Sequence, residues 1–135
     1  MVKVSAQYTG DKHCDLVHEP SQNKISTDAP KDNNGRGEAF SPTDLVAAAL
    51  ASCMLTTMAI FADKEKIDMT GAHASVTKEM KASPRRIARL AAEIHMPAKL
   101  SAADRKRLEE SGTHCPLKYS LHPDLELPVQ FFYDV

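Results

Sequence analysis

The chain has 135 residues, 42% hydrophobic and 26% charged, with 17 basic side chains against 18 acidic ones for a net charge of -1. These values are those of an ordinary globular chain and exclude a disordered one; the balanced charge leaves no electrostatic case for nucleic acid or an anionic membrane surface. Length predicts a single domain over residues 1–135.

The opening residues, Met1 to Tyr8, lack the apolar stretch of a secretory signal. Three cysteines, an odd number, fit a reducing compartment better than a secreted disulfide framework. A cytoplasmic location is therefore expected. Val2 to Tyr8 alternates apolar with polar at period two, Thr9-Gly10-Asp11 is a turn, and Cys14 to His18 and Lys24 to Thr27 complete a small β-meander around the turn residues Glu19 to Asn23. Residues 28–40 read as a loop, with Pro30, Asn33, Asn34, Gly35 and Gly37, and with Arg36 between the two glycines. A loop of that length inside a compact domain is a candidate for function.

Ser41-Pro42-Thr43-Asp44 opens a long helix: Ser41 suits the cap, Pro42 the first helical position, and Asp44 completes a capping box at the positive helix end. The helix should run to Glu65 or Lys66, about 37 Å at 1.5 Å per residue. Leu45 to Ala62 carries no formal charge and approaches the lower length limit for a membrane span. Its alanines, Ser52, Thr56 and Thr57, with Asp44 and Asp63 at its ends, point instead to a helix buried all round in a soluble core. Two strands, Ala72 to Met80 and Ile87 to Met96, then flank a turn at Ser83-Pro84. Ser101 to Asp104 repeats the capping pattern and starts a polar helix that Gly112 ends, a short helix follows within Thr113 to Leu121, and Leu127 to Tyr133 closes the chain as a strand.

Chemistry concentrates on two cysteines. A thiol in the middle of an apolar helix, as at Cys53, is ordinarily an inert small hydrophobe whose pKa rises with burial. For Cys53 to react, positive charge must reach it. Arg36, the one arginine upstream of the helix, is the candidate, since a guanidinium stays charged when desolvated. Cys115 precedes Pro116, which makes it the cap of a helix start, where unpaired N–H groups favour negative charge. His114 is a possible proton donor beside it, although adjacent side chains usually point apart.

Phe40-Ser41-Pro42-Thr43-Asp44-Leu45-Val46-Ala47-Ala48-Ala49-Leu50-Ala51-Ser52-Cys53-Met54, taken with His114-Cys115-Pro116-Leu117, resembles the OsmC/Ohr superfamily, named for osmotically inducible protein C and organic hydroperoxide resistance protein. The element order is similar over nearly the whole chain. The resemblance implies an α+β fold of antiparallel sheets wrapped around a long central helix, assembled as an intertwined homodimer. It implies a thiol-dependent peroxidase for organic hydroperoxides or hydrogen peroxide: Cys53 becomes a sulfenic acid, Cys115 resolves it to a disulfide, and an external dithiol or a lipoylated protein restores both thiols, with no metal or other cofactor. Arg36 would activate Cys53. Where family peroxidases place a glutamate one turn into the helix, this chain has Thr43 followed by Asp44. Asp44 or Glu38 then stands in for that carboxylate, or the network is absent. Cys14 matches no family role. The Thr43 departure supports a second reading, a weakly catalytic or non-catalytic small-molecule binding or redox-sensing protein. A zinc site built from Cys53, Cys115, His114 and another histidine is disfavoured, because no Cys-x-x-Cys or His-x-x-x-His pair occurs.

Overall fold

The computed structural model describes residues 1–135, which form two compact units, Met1–Val46 and Ala47–Val135.

The first unit is the expected meander. Strands β1 (Val4–Gly10), β2 (His13–His18) and β3 (Asn23–Asp28) pair antiparallel in the order β1-β2-β3. Asp11 and Lys12, both at positive φ, turn the chain from β1 into β2. Pairing of Val4 with His18, Tyr8 with Cys14 and Leu16 with Ile25 puts Val4, Tyr8 and Ile25 on one face of the sheet. After β3 the chain makes a short 3-10 turn at Lys31–Asn33 and returns, so that Phe40 bridges Thr27. Gly35 is confined to glycine by crowding, since a Cβ there would lie 1.8 Å from the Ala29 carbonyl oxygen.

Helix α1 (Pro42–Glu65, 24 residues) starts as its sequence predicts. The Ser41 N–H donates to Asp44 Oδ2 at 2.8 Å and the Asp44 N–H donates to Ser41 Oγ at 3.1 Å, the reciprocal bonds of a capping box. Its burial departs from expectation. Ala47, Leu50, Met54, Met58 and Ala62 form one buried stripe, while Ala48, Ala49, Ser52, Thr56, Ala59 and Ile60 are exposed. The small residues that suggested burial on every side occupy an outward face in the single chain.

In the second unit, β4 (His73–Ala82) and β5 (Arg85–His95) form the long hairpin. The alanine-rich second arm is a strand, because its alternation places Leu90, Ala92 and Ile94, with Met96 just beyond the strand end, in the core. Helix α2 (Ala102–Thr113) is capped by Ser101, whose side chain accepts the Asp104 N–H, and α3 (Pro116–Ser120) follows. The closing strand β6 (Val129–Phe132) pairs with β5 in parallel, from Ala92 with Val129 to His95 with Phe132. This corrects the expectation of antiparallel sheets throughout: α2 and α3 lie between β5 and β6 and supply the long crossover that parallel pairing requires. Gly112 does not end α2, which continues to Thr113 and stops at His114. Its role is a close approach, since a Cβ at Gly112 would stand 2.7 Å from Met58 Sδ on α1.

Candidate functional site

Cys53 lies on α1 immediately before buried Met54, half-buried itself, with its carbonyl accepting the Thr57 hydroxyl at 2.8 Å. That back-bond is a common way for a helical threonine to satisfy its own hydroxyl. Cys115 is fully buried at the N-cap of α3, with Pro116 in the first helical turn. Both thiols are free. The structure brings the two side chains close enough for Cys53 to act on the Cys115 thiol.

Burial pushes the Cys115 thiol up from its ordinary value. The N–H groups of Lys118 and Leu117 at the start of α3 pull the other way, while the hydrogen bond to Cys53 and charge on Cys53 hold the Cys115 proton more firmly. Cys115 does not close the helix with its side chain, which makes no capping hydrogen bond. The expectation of a cap that favours negative charge is therefore only partly met, because desolvation outweighs the helix N–H groups. Cys115 therefore holds its proton above the ordinary thiol range.

His114 is turned away from this pair. Its Nδ1 lies 2.6 Å from the Glu110 carbonyl, and its ring stands against Tyr119. It lines an open, mainly apolar cleft of about 450 Å³ together with Phe61, Arg107, Glu110 and Ser111. No three His, Cys, Asp or Glu side chains converge in an arrangement suited to a metal ion.

The other sequence-derived candidates lie in the first unit. Asp44 is engaged at the start of α1 through Ser41, and Thr43 Oγ1 lies 3.2 Å from Ser41 Oγ. Arg36 pairs with Asp28, NH2 to Oδ1 at 3.5 Å. Glu38 contributes to this cluster through its backbone, the N–H donating to Asp28 Oδ2 at 3.0 Å. His13 Nδ1 completes it at 2.6 Å from Asp28 Oδ1. The hydrogen bond from His13, followed by the Glu38 N–H and Arg36, lowers the Asp28 carboxyl; the same bond raises the His13 imidazole. Asp28 was not singled out by the sequence. The signal was present in the meander's register, which sets His13 directly opposite Asp28.

A family profile described as OsmC-like protein matches residues 35–129, most of the chain and both cysteines of the pair. The chain belongs to the OsmC-like family. No curated protein sequence matches it. Among solved structures, the OsmC-like chain is similar to a protein of Psychrobacter arcticus named for osmotic stress induction and a detoxification response, with 43% identity and a TM-score of 0.92 over 97% of this chain and 96% of that one. An organic hydroperoxide resistance protein OsmC from Legionella pneumophila shares the fold at 18% identity and a TM-score of 0.80, covering 98% and 96% of the two chains. Another organic hydroperoxide resistance protein, from Elizabethkingia anophelis, does so at 14% identity and a TM-score of 0.80, covering 99% and 96%.

Proposed function

We propose that this OsmC-like protein is a thiol-dependent peroxidase in which Cys53 is the nucleophile and Cys115 the resolving thiol. The observation that carries the reading is the pairing of the two free thiols, with the buried Cys115 holding its proton against charge on Cys53. The Cys53 thiolate attacks the terminal oxygen of the hydroperoxide, the O–O bond breaks, and the alkoxide leaves as an alcohol after taking a proton. Cys53 is now a sulfenic acid and no longer an anion. One cause of the raised Cys115 value disappears with that charge. Cys115 then gives up its proton and attacks the Cys53 sulfur, the S–O bond breaks, and water leaves. An external dithiol, such as a lipoylated protein, reduces the disulfide, and no bound cofactor enters the cycle. Arg36 supplies the positive charge that favours the Cys53 thiolate, and Asp44 contributes by fixing the start of the helix that carries Cys53.

Organic hydroperoxides are the favoured substrates, in keeping with the names of two of the structural relatives. The working form is an intertwined homodimer in the cytoplasm. Two features support the dimer: the exposed alanine-rich face of α1 ending at Ile60, and Val4, Tyr8 and Ile25, each more than half exposed on one face of the first sheet.

Thr43, in place of a carboxylate, favours a second reading, a redox-sensing or small-molecule binding protein that reacts without turning over. One assay separates them. Reduced protein supplied with excess dithiol and an alkyl hydroperoxide is expected to consume many equivalents of peroxide. Consumption that stops near one equivalent per chain supports the sensing reading and overturns the enzyme.

A further inference from the structure

Asp28 is a charged side chain that the chemistry of the two thiols does not use, yet it is 1% exposed and lies at the centre of a polar cluster in the first unit. Its carboxylate receives His13 and Arg36 on Oδ1 and the Glu38 N–H on Oδ2. Its backbone N–H donates to the Phe40 carbonyl at 3.1 Å, and the neighbouring Gly37 N–H donates to Ala29 at 3.2 Å. Asp28 therefore closes residues 29–40 on themselves from both backbone and side chain. Arg36 lies inside that closed segment, with its side chain 44% exposed, so its head is tethered at one edge and open at the other. A buried, fully paired carboxylate adds little net stability for its desolvation, but it fixes geometry, because removing one partner leaves the others unmatched.

We propose that Asp28 is the positioning residue for Arg36, acting from β3 with His13 as its second cationic partner, an inference that rests on the reading of Arg36 as the cation serving Cys53. The charged groups that face His13 are Asp28 on β3, Asp15 on β2 at 3.3 Å from Nε2, and Arg36 in the loop. His13 and Arg36 share one carboxylate oxygen. Protonating His13 places a second cation on that oxygen, so the hold on Arg36 is tightest when His13 is neutral.

The test is a mutant cycle read by the pH profile of Cys53 alkylation in the full chain. Arg36→Gln examines the underlying reading, and Asp28→Asn, nearly isosteric, examines this one. Asp28→Asn is expected to slow Cys53 alkylation at neutral pH by about three- to tenfold, to move the profile towards higher pH as Arg36→Gln does, and to add nothing in the double variant, the pattern of a residue that acts through its partner. If Arg36→Gln slows the thiol and Asp28→Asn does not, or if the two effects add in full, the inference about Asp28 fails and the role of Arg36 stands. If Arg36→Gln itself leaves Cys53 unchanged, the reading of Arg36 fails and takes this inference with it. Should Asp28→Asn not fold, His13→Gln carries the same cycle, with the acid side of the profile losing its His13-dependent step. An unaltered acid side in that folded variant overturns the proposal.

Discussion

Cys53→Ser is expected to lower peroxide consumption by more than about a thousandfold while leaving the fold intact, because a serine hydroxyl cannot take the oxygen that a thiolate takes. The residue is half-buried and its carbonyl remains bonded to Thr57 whatever its side chain is, so the substitution disturbs little packing. A second consequence follows inside the pair. Charge and hydrogen bonding from Cys53 are among the causes that hold the Cys115 proton. Without the Cys53 sulfur, the Cys115 thiol falls back part of the way, and burial alone keeps it raised. Slow alkylation of Cys115 in alkaline solution, compared between wild type and Cys53→Ser, checks this: it should start at lower pH in the variant. Peroxide turnover that survives in Cys53→Ser would remove Cys53 from the chemistry.

Cys115→Ser divides the cycle elsewhere. The first oxidation of Cys53 should proceed, giving one equivalent of alcohol, and the following turnovers should be lost with a small-molecule dithiol at low concentration. Unresolved, the Cys53 sulfenic acid is open to further peroxide, and mass spectrometry is expected to find sulfinic acid accumulating as peroxide rises. The same variant changes the dependence of stability on alkali. A thiol raised in the folded state keeps its proton where the unfolded chain, with a value near about 8.5, gives it up. Stability from this source is fully present below the unfolded value and declines as pH rises through the folded one. Urea midpoints of wild type should fall between neutral pH and the folded Cys115 value, and those of Cys115→Ser should lack this component. A variant that retains the alkaline loss in full would assign it to another group.

Much of this is legible in the sequence. The capping box at Ser41 and Asp44, the helix start at Pro116 and the period-two strands of the meander are local signals, and each takes the predicted form. What escaped depends on chain-distant packing. The alanines of α1 are equally consistent with a buried or an outward face, so composition overstated the burial of that helix within one chain. The parallel pairing of β6 with β5 is decided by where α2 and α3 return the chain, and a four-residue strand carries no record of its direction. Gly112 resembles a helix terminator in sequence, and only the position of Met58 reveals it as a contact point. Asp28 shows a different limit: it is one of several acids, and only the His13 register and the returning loop make it a hub. The relation of the two thiols, separated widely in sequence, was implied by family resemblance alone; the closeness through which Cys53 acts on the Cys115 thiol is a product of the fold.

The central claim is that Cys53 and Cys115 of one chain form a catalytic disulfide. Reduced wild-type protein should be treated with one equivalent of an alkyl hydroperoxide, quenched with an alkylating agent, digested without reductant and mapped by mass spectrometry. The account predicts a peptide pair joining Cys53 to Cys115 within a single chain, with Cys14 recovered alkylated. Recovery of Cys53 and Cys115 both alkylated after the peroxide is consumed, or a disulfide routed through Cys14, would contradict it.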